Sequence, residues 1–128
     1  MLRSHLLALS AAMALIASPD VARADPSVTI ASGQIQGTTS DGIDHFFGIP
    51  FAAAPIGELR WRAPQPAIAW KGIREAKVFG ASCPQPLKAP TQLAPLGATS
   101  EDCLFLNVWR PSETTSRALP VLVWLHGG

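Results

Sequence analysis

Between Ala52 and Pro66 the chain carries Pro55, Gly57, Pro64 and Pro66, a spacing that no long helix survives. Each proline removes a backbone donor, and its ring clashes with the preceding helical turn. The pattern is general: twelve prolines and ten glycines punctuate the 128 residues, and stretches of helical periodicity are scarce. Such a chain is restricted to short strands, turns and extended loops, with little regular structure to close a core unaided.

Strand signals flank this stretch. The alternating runs "SVTIASG" and "QIQGTT" break at Ser32-Gly33, and "IDHFFGIPF" follows the turn signal Ser40-Asp41-Gly42, which together predict one antiparallel meander. "AWKGIREAKVFGASC" is ambiguous, because Ile73, Ala76 and Val78 fit either a short strand or a single helical turn. "EDCLFLNVWRP" alternates as a strand, with Leu104, Leu106 and Val108 on one side, Phe105, Asn107 and Trp109 on the other, and Pro111 at its end. "PVLVWLHGG" is an unbroken apolar run of the kind covered on both sheet faces. The short polar linker "SETTSRAL" places these two predicted strands near one another in one sheet. An apolar strand entering a glycine loop reads as the middle of a chain, so the 128 residues are expected to be the front part of a longer protein.

Residues 1–24 have the layout of a secretory signal. Arg3 and His5 form a basic n-region, and Leu6 to Ala17 form an apolar stretch too short for a bilayer span of roughly 20 residues. Ala22-Arg23-Ala24 is an A-x-A cleavage site, so the mature chain is expected to begin near Asp25; the alternative is an N-terminal anchor or buried helix. Without Arg3, Arg23 and Asp20, eight basic side chains face eight acidic ones. No basic stripe is available for nucleic acid or an anionic membrane surface, and no second apolar span occurs, so residues 25–128 read as a soluble, exported segment, secreted or periplasmic.

Export puts Cys83 and Cys103 where disulfides persist. They either pair, closing a loop worth about 3 kcal/mol in the chain-entropy model, or remain as two buried thiols; no CxxC or Cys/His metal cluster accompanies them. His126 invites a role as general base, yet no nucleophile announces itself by a motif; Ser32 and Ser82 fit turns or loops. Gly127 and Gly128 can turn backbone N–H groups toward a bound oxygen, as in an oxyanion hole, or can simply end a strand. Trp61, Trp70, Trp109 and Trp124 each lie beside an apolar or proline-rich segment, where packing is the default role.

Four segments in order resemble the type-B carboxylesterase and lipase family, the cholinesterase-like branch of the α/β hydrolases. "FFGIPFAAAPIGELRWRAPQP" is similar to the family's entrance segment, and "AWKGIREAKVFGASCPQ" to the segment after it. "EDCLFLNVWRP" fits the family signature at every position, and "PVLVWLHGG" fits the strand entering an H-G-G-G loop. The resemblance covers essentially all of residues 25–128. It implies an α/β class, with this chain forming the N-terminal, mainly β part of an α/β-hydrolase fold.

The resemblance also implies roles. Cys83 and Cys103 match the family's first disulfide, whose loop helps rim the active-site gorge, and Arg60 and Glu101 match a buried or half-buried salt bridge. Gly127 and Gly128 fall in the oxyanion loop, Gly128 as a donor, and His126 becomes a loop-shaping residue. A small carboxylic ester is the implied substrate, with no cofactor and no metal. The family's nucleophilic Ser on a G-x-S-x-G elbow, its Glu or Asp and its His are absent from residues 1–128 and are expected downstream. Two readings follow: a serine carboxylic ester hydrolase whose N-terminal part alone is inactive, or a cholinesterase-like binding or adhesion protein that keeps the fold without the triad.

Overall fold

The computed structural model describes residues 24–85, 97–113 and 118–125. The predicted leader, apart from Ala24, lies outside them. The described chain is built from six short strands: β1 (Ser27–Ile30), β2 (Gly33–Gln36), β3 (Thr38–Ser40), β4 (Ile43–Pro50), β5 (Ile73–Glu75) and β6 (Phe105–Pro111). Among the described residues the one helical element is a 3-10 turn at Gly57–Leu59, within the proline-punctuated stretch where a long helix is forbidden.

The expected single meander is instead two three-stranded sheets, ordered β1-β2-β5 and β3-β4-β6. The hairpins themselves form as the alternation requires, with Ile30 opposite Gly33 in the first and Ser40 opposite Ile43 in the second. The break between sheets falls at Gly37, where any Cβ would collide with the carbonyl oxygen of His45. Its N–H donates to the Pro26 carbonyl at 2.9 Å. The backbone thus crosses close beneath β4 at a position where only glycine fits.

The ambiguous segment resolves to the strand β5, which runs parallel to β2 with Gln34 opposite Ile73. Ala76 follows it and is the most buried residue in the core, at 1% exposure. Its N–H donates to Gln36 O at 2.7 Å and its carbonyl accepts from Phe47 N at 2.8 Å, so this one residue stitches the two sheets together. Val78 lies beyond the strand and is exposed.

The signature strand β6 pairs antiparallel with β4, with a register shift between Phe46 and Ile49. Such a bulge re-aims the strand. Gly48 sits in it at φ 64°, and a Cβ there would lie 2.7 Å from Val78 O. Its N–H donates to Asn107 Oδ1 at 3.0 Å, so the Asn side chain supplies the partner that the ladder omits.

The core is small. Ile35, Phe46, Ile49 and Ala76 form its centre, with Val28, Ile30 and Trp70 packed against it. Phe46 and the two isoleucines each contribute about 1.5–3 kcal/mol on burial. By contrast Val121 to Leu125 are 75–91% exposed and form no strand, so the strand expected near β6 in the same sheet is absent. An apolar run of this type needs neighbours on both faces and both edges, and none of the described strands provides them. No helix among the described residues is long and apolar enough to cross a membrane.

Candidate functional site

Both family-matched pairs form, and they meet where Glu101 lies two residues before Cys103. Cys83 and Cys103 are joined by a disulfide, with Cα atoms 5.0 Å apart. The neck of the loop they close is held a second time, because Ser82 N donates to Ala98 O and Ser100 N to Ser82 O, each at 2.9 Å. Two residues before Cys103, Glu101 Oε1 accepts from Arg60 Nη2 at 2.7 Å. The ion pair joins the end of the 3-10 turn to the segment that leads into β6.

The side chains of that pair are 52% and 45% exposed. It therefore lies at the exposed end of what the resemblance implies, and screening by water holds its contribution to about 0–1 kcal/mol. It links the entrance segment to the base of the disulfide loop. His126, Gly127 and Gly128 lie outside the described residues.

Two arrangements had no signal in the sequence. Asp44 on β4 is 3% exposed and accepts hydrogen bonds from Thr39 Oγ1 at 2.7 Å and from Arg110 Nε at 3.0 Å. The Arg110 guanidinium also lies 5.3 Å from the centroid of the Phe46 ring. Asp44 and Arg110 are 66 positions apart, and neither belongs to a local motif. On the opposite face of the same sheet, Phe47 stacks on Phe79 at 4.4 Å and on His45 at 5.5 Å, with Trp109 tilted against Phe47 at 5.3 Å. His45 is thereby a ring in an aromatic stack.

The four tryptophans divide. Trp70 packs on the core, donates from Nε1 to Gln34 O at 2.9 Å and carries the Arg74 guanidinium over its ring. Trp109 joins the aromatic stack. Trp61 is 95% exposed with φ 59°, and Trp124 is 82% exposed, so the packing role expected for both is absent among the described residues.

At the entry to β1, Lys77 Nζ lies 2.8 Å from Asp25 Oδ2. Hydrogen bonding to Asp25 raises the Lys77 pKa above its ordinary value, with the charges of Asp25 and Glu75 acting in the same direction and desolvation opposing. An open apolar groove of about 540 Å³ runs between the sheets, lined by residues including Ile30, Ile49, Phe51, Leu106 and Val108. Its lining has one hydroxyl, Ser32, and no histidine or carboxylate among the described residues. No group of three or more His, Cys, Asp or Glu among those residues could hold a metal. The described part thus offers a structural frame and an apolar surface, with no assembled acid, base and nucleophile.

This frame is the β-rich N-terminal part of an α/β-hydrolase fold. A solved thermophilic PNB esterase superposes with a TM-score of 0.76 at 42% identity, over 82% of this chain and 22% of that one. The chain belongs to the carboxylesterase family, whose model matches residues 24–128. It is 42% identical to the para-nitrobenzyl esterase of Bacillus subtilis (strain 168) over 106 residues, which is 79% of this chain and 21% of that protein. It is 43% identical to the fumonisin B1 esterase of Sphingopyxis macrogoltabida over 99 residues, or 76% and 18% of the two chains. The chain spans about a fifth of the length of the curated relatives it matches.

Proposed function

We propose that the whole protein to which these residues belong is an exported serine carboxylic ester hydrolase, acting through a Ser-acyl intermediate. The observation that carries this reading is the family match across residues 24–128 together with relatives whose names are those of ester hydrolases. Those names favour hydrolysis over the binding or adhesion alternative.

In this reading a serine outside residues 1–128 attacks the ester carbonyl while a histidine takes its proton, and a carboxylate orients the histidine. The backbone N–H of Gly128 belongs to the set of donors that receives the developing oxyanion, within a loop that Gly127 and Gly128 make narrow enough for close approach. The Cys83–Cys103 loop forms part of the rim through which a small ester enters, and the Arg60–Glu101 pair holds that rim to the entrance segment. No cofactor or metal takes part. The leader directs the protein to the periplasm or the exterior and is removed after Ala24. Residues 25–128 alone are inactive, because donors without a nucleophile have no oxyanion to stabilise.

The test is hydrolysis of a chromogenic short-chain ester by the whole protein and by residues 25–128. Turnover sensitive to a serine-directed inhibitor in the first, and background rates in the second, support the reading. A whole protein with no turnover would return the family fold to the binding alternative.

A further inference from the structure

We propose that Asp41 is a site of spontaneous aspartate isomerisation, its bond to Gly42 rearranging through a cyclic succinimide to an isoaspartyl linkage. The pair forms the two-residue turn between β3 and β4, with φ 50° at Asp41 and 75° at Gly42. Both residues are exposed, and a Cβ added at Gly42 would meet nothing within 4 Å. The Asp41 carboxylate makes no hydrogen bond or ion pair among the described residues, and the Gly42 N–H donates to none of them.

Each of the other described aspartates lacks one of these conditions. Asp44 is buried and bonded to Thr39 and Arg110. Asp25 is bound to Lys77 and precedes Pro26, which has no N–H to react. Asp102 is followed by Cys103, a residue with a side chain held in the disulfide. Among the described aspartates only Asp41 joins an unengaged carboxyl to a following glycine, whose missing Cβ leaves the approach to Cγ open.

The chemistry needs only water. The Gly42 nitrogen attacks Cγ of Asp41, forming the N–Cγ bond; the Cγ–O bond breaks and that oxygen leaves as water, carrying the amide proton and a second proton from the carboxyl group or the solvent. Water then adds to one ring carbonyl. Opening at Cγ regenerates aspartate, whereas opening at the main-chain carbonyl breaks the original peptide C–N bond and leaves the chain running through Cγ. That product inserts a methylene into a two-residue turn whose ends are fixed by the Ser40 and Ile43 pair and whose Gly42 carbonyl accepts from Ser112 N at 2.9 Å. Positive φ at both positions is the type I′ pattern, whose twist matches the flanking strands, so the lengthened backbone loses the tie to the end of β6.

The test is prolonged incubation of the folded chain at neutral pH, followed by peptide mapping for isoaspartate at each aspartate. Expected is accumulation at Asp41 roughly tenfold above Asp25, Asp44 and Asp102, because glycine removes the steric barrier. Asp41→Asn keeps a residue suited to the left-handed turn, and its deamidation at position 41, read as a mass gain, is expected to outrun isomerisation of the parent. Isoaspartate appearing first at another aspartate would overturn the proposal. So would its absence at Asp41 in the folded chain under conditions where the urea-unfolded chain forms it.

Discussion

Asp44 and Arg110 meet directly across β4 and β6, the carboxylate 4% exposed and the guanidinium 42%. Thr39 supplies the second donor to the same carboxylate, so one buried acid joins β3, β4 and β6. Removing the arginine leaves a buried charge with a single hydroxyl partner. Arg110→Ala is expected to destabilise by about 1–3 kcal/mol, less than a fully buried pair because the guanidinium is partly wet. Urea unfolding midpoints measure this, and a double-mutant cycle with Asp44→Asn should show coupling. A change no larger than that of an exposed arginine would contradict the assignment.

The Arg60–Glu101 pair should behave differently despite its shorter distance. Glu101→Gln is expected to cost under about 1 kcal/mol and to cost less as salt rises, since both groups are half exposed. A large, salt-insensitive loss would mean that the pair is buried in the whole protein.

Breaking the Cys83–Cys103 bond by Cys83→Ser/Cys103→Ser should destabilise by about 2–4 kcal/mol, because the unfolded loop is released. Alkylation of exported protein followed by mass measurement should find neither thiol free. Two alkylated cysteines would remove the gorge-rim role.

Lys77 gives a pH signature. Its folded pKa is raised above the ordinary 10.5, so the contribution of the Asp25 contact is fully present below that value and is lost as pH rises through the folded pKa. The stability difference between the parent and Lys77→Met should therefore be constant from neutral pH up to about 10, then shrink. A difference that fades between pH 6 and 9 would place the titration on a group other than Lys77.

What the sequence made legible was local. Alternation located both hairpins and β6, and proline spacing excluded a long helix between Ala52 and Pro66. The family resemblance singled out Arg60 with Glu101 and Cys83 with Cys103. The split into two sheets was hidden because it depends on the close approach of Gly37 to a carbonyl eight residues on, where no Cβ fits. Asp44 and Arg110 were hidden for a related reason: their contact is set by the β4–β6 register, which no short window records. The apolar run Val121 to Leu125 misled in the other direction, since pattern specifies the need for neighbours without providing them.

In the proposed function, residues 25–128 frame an ester hydrolase whose nucleophile lies elsewhere in the protein. Covalent labelling of the whole protein by a fluorophosphonate, with mapping of the modified peptide, tests it most directly. Expected is stoichiometric label on a single serine outside residues 1–128, accompanied by loss of ester turnover. No label, or label on Ser32 or Ser82, would contradict it.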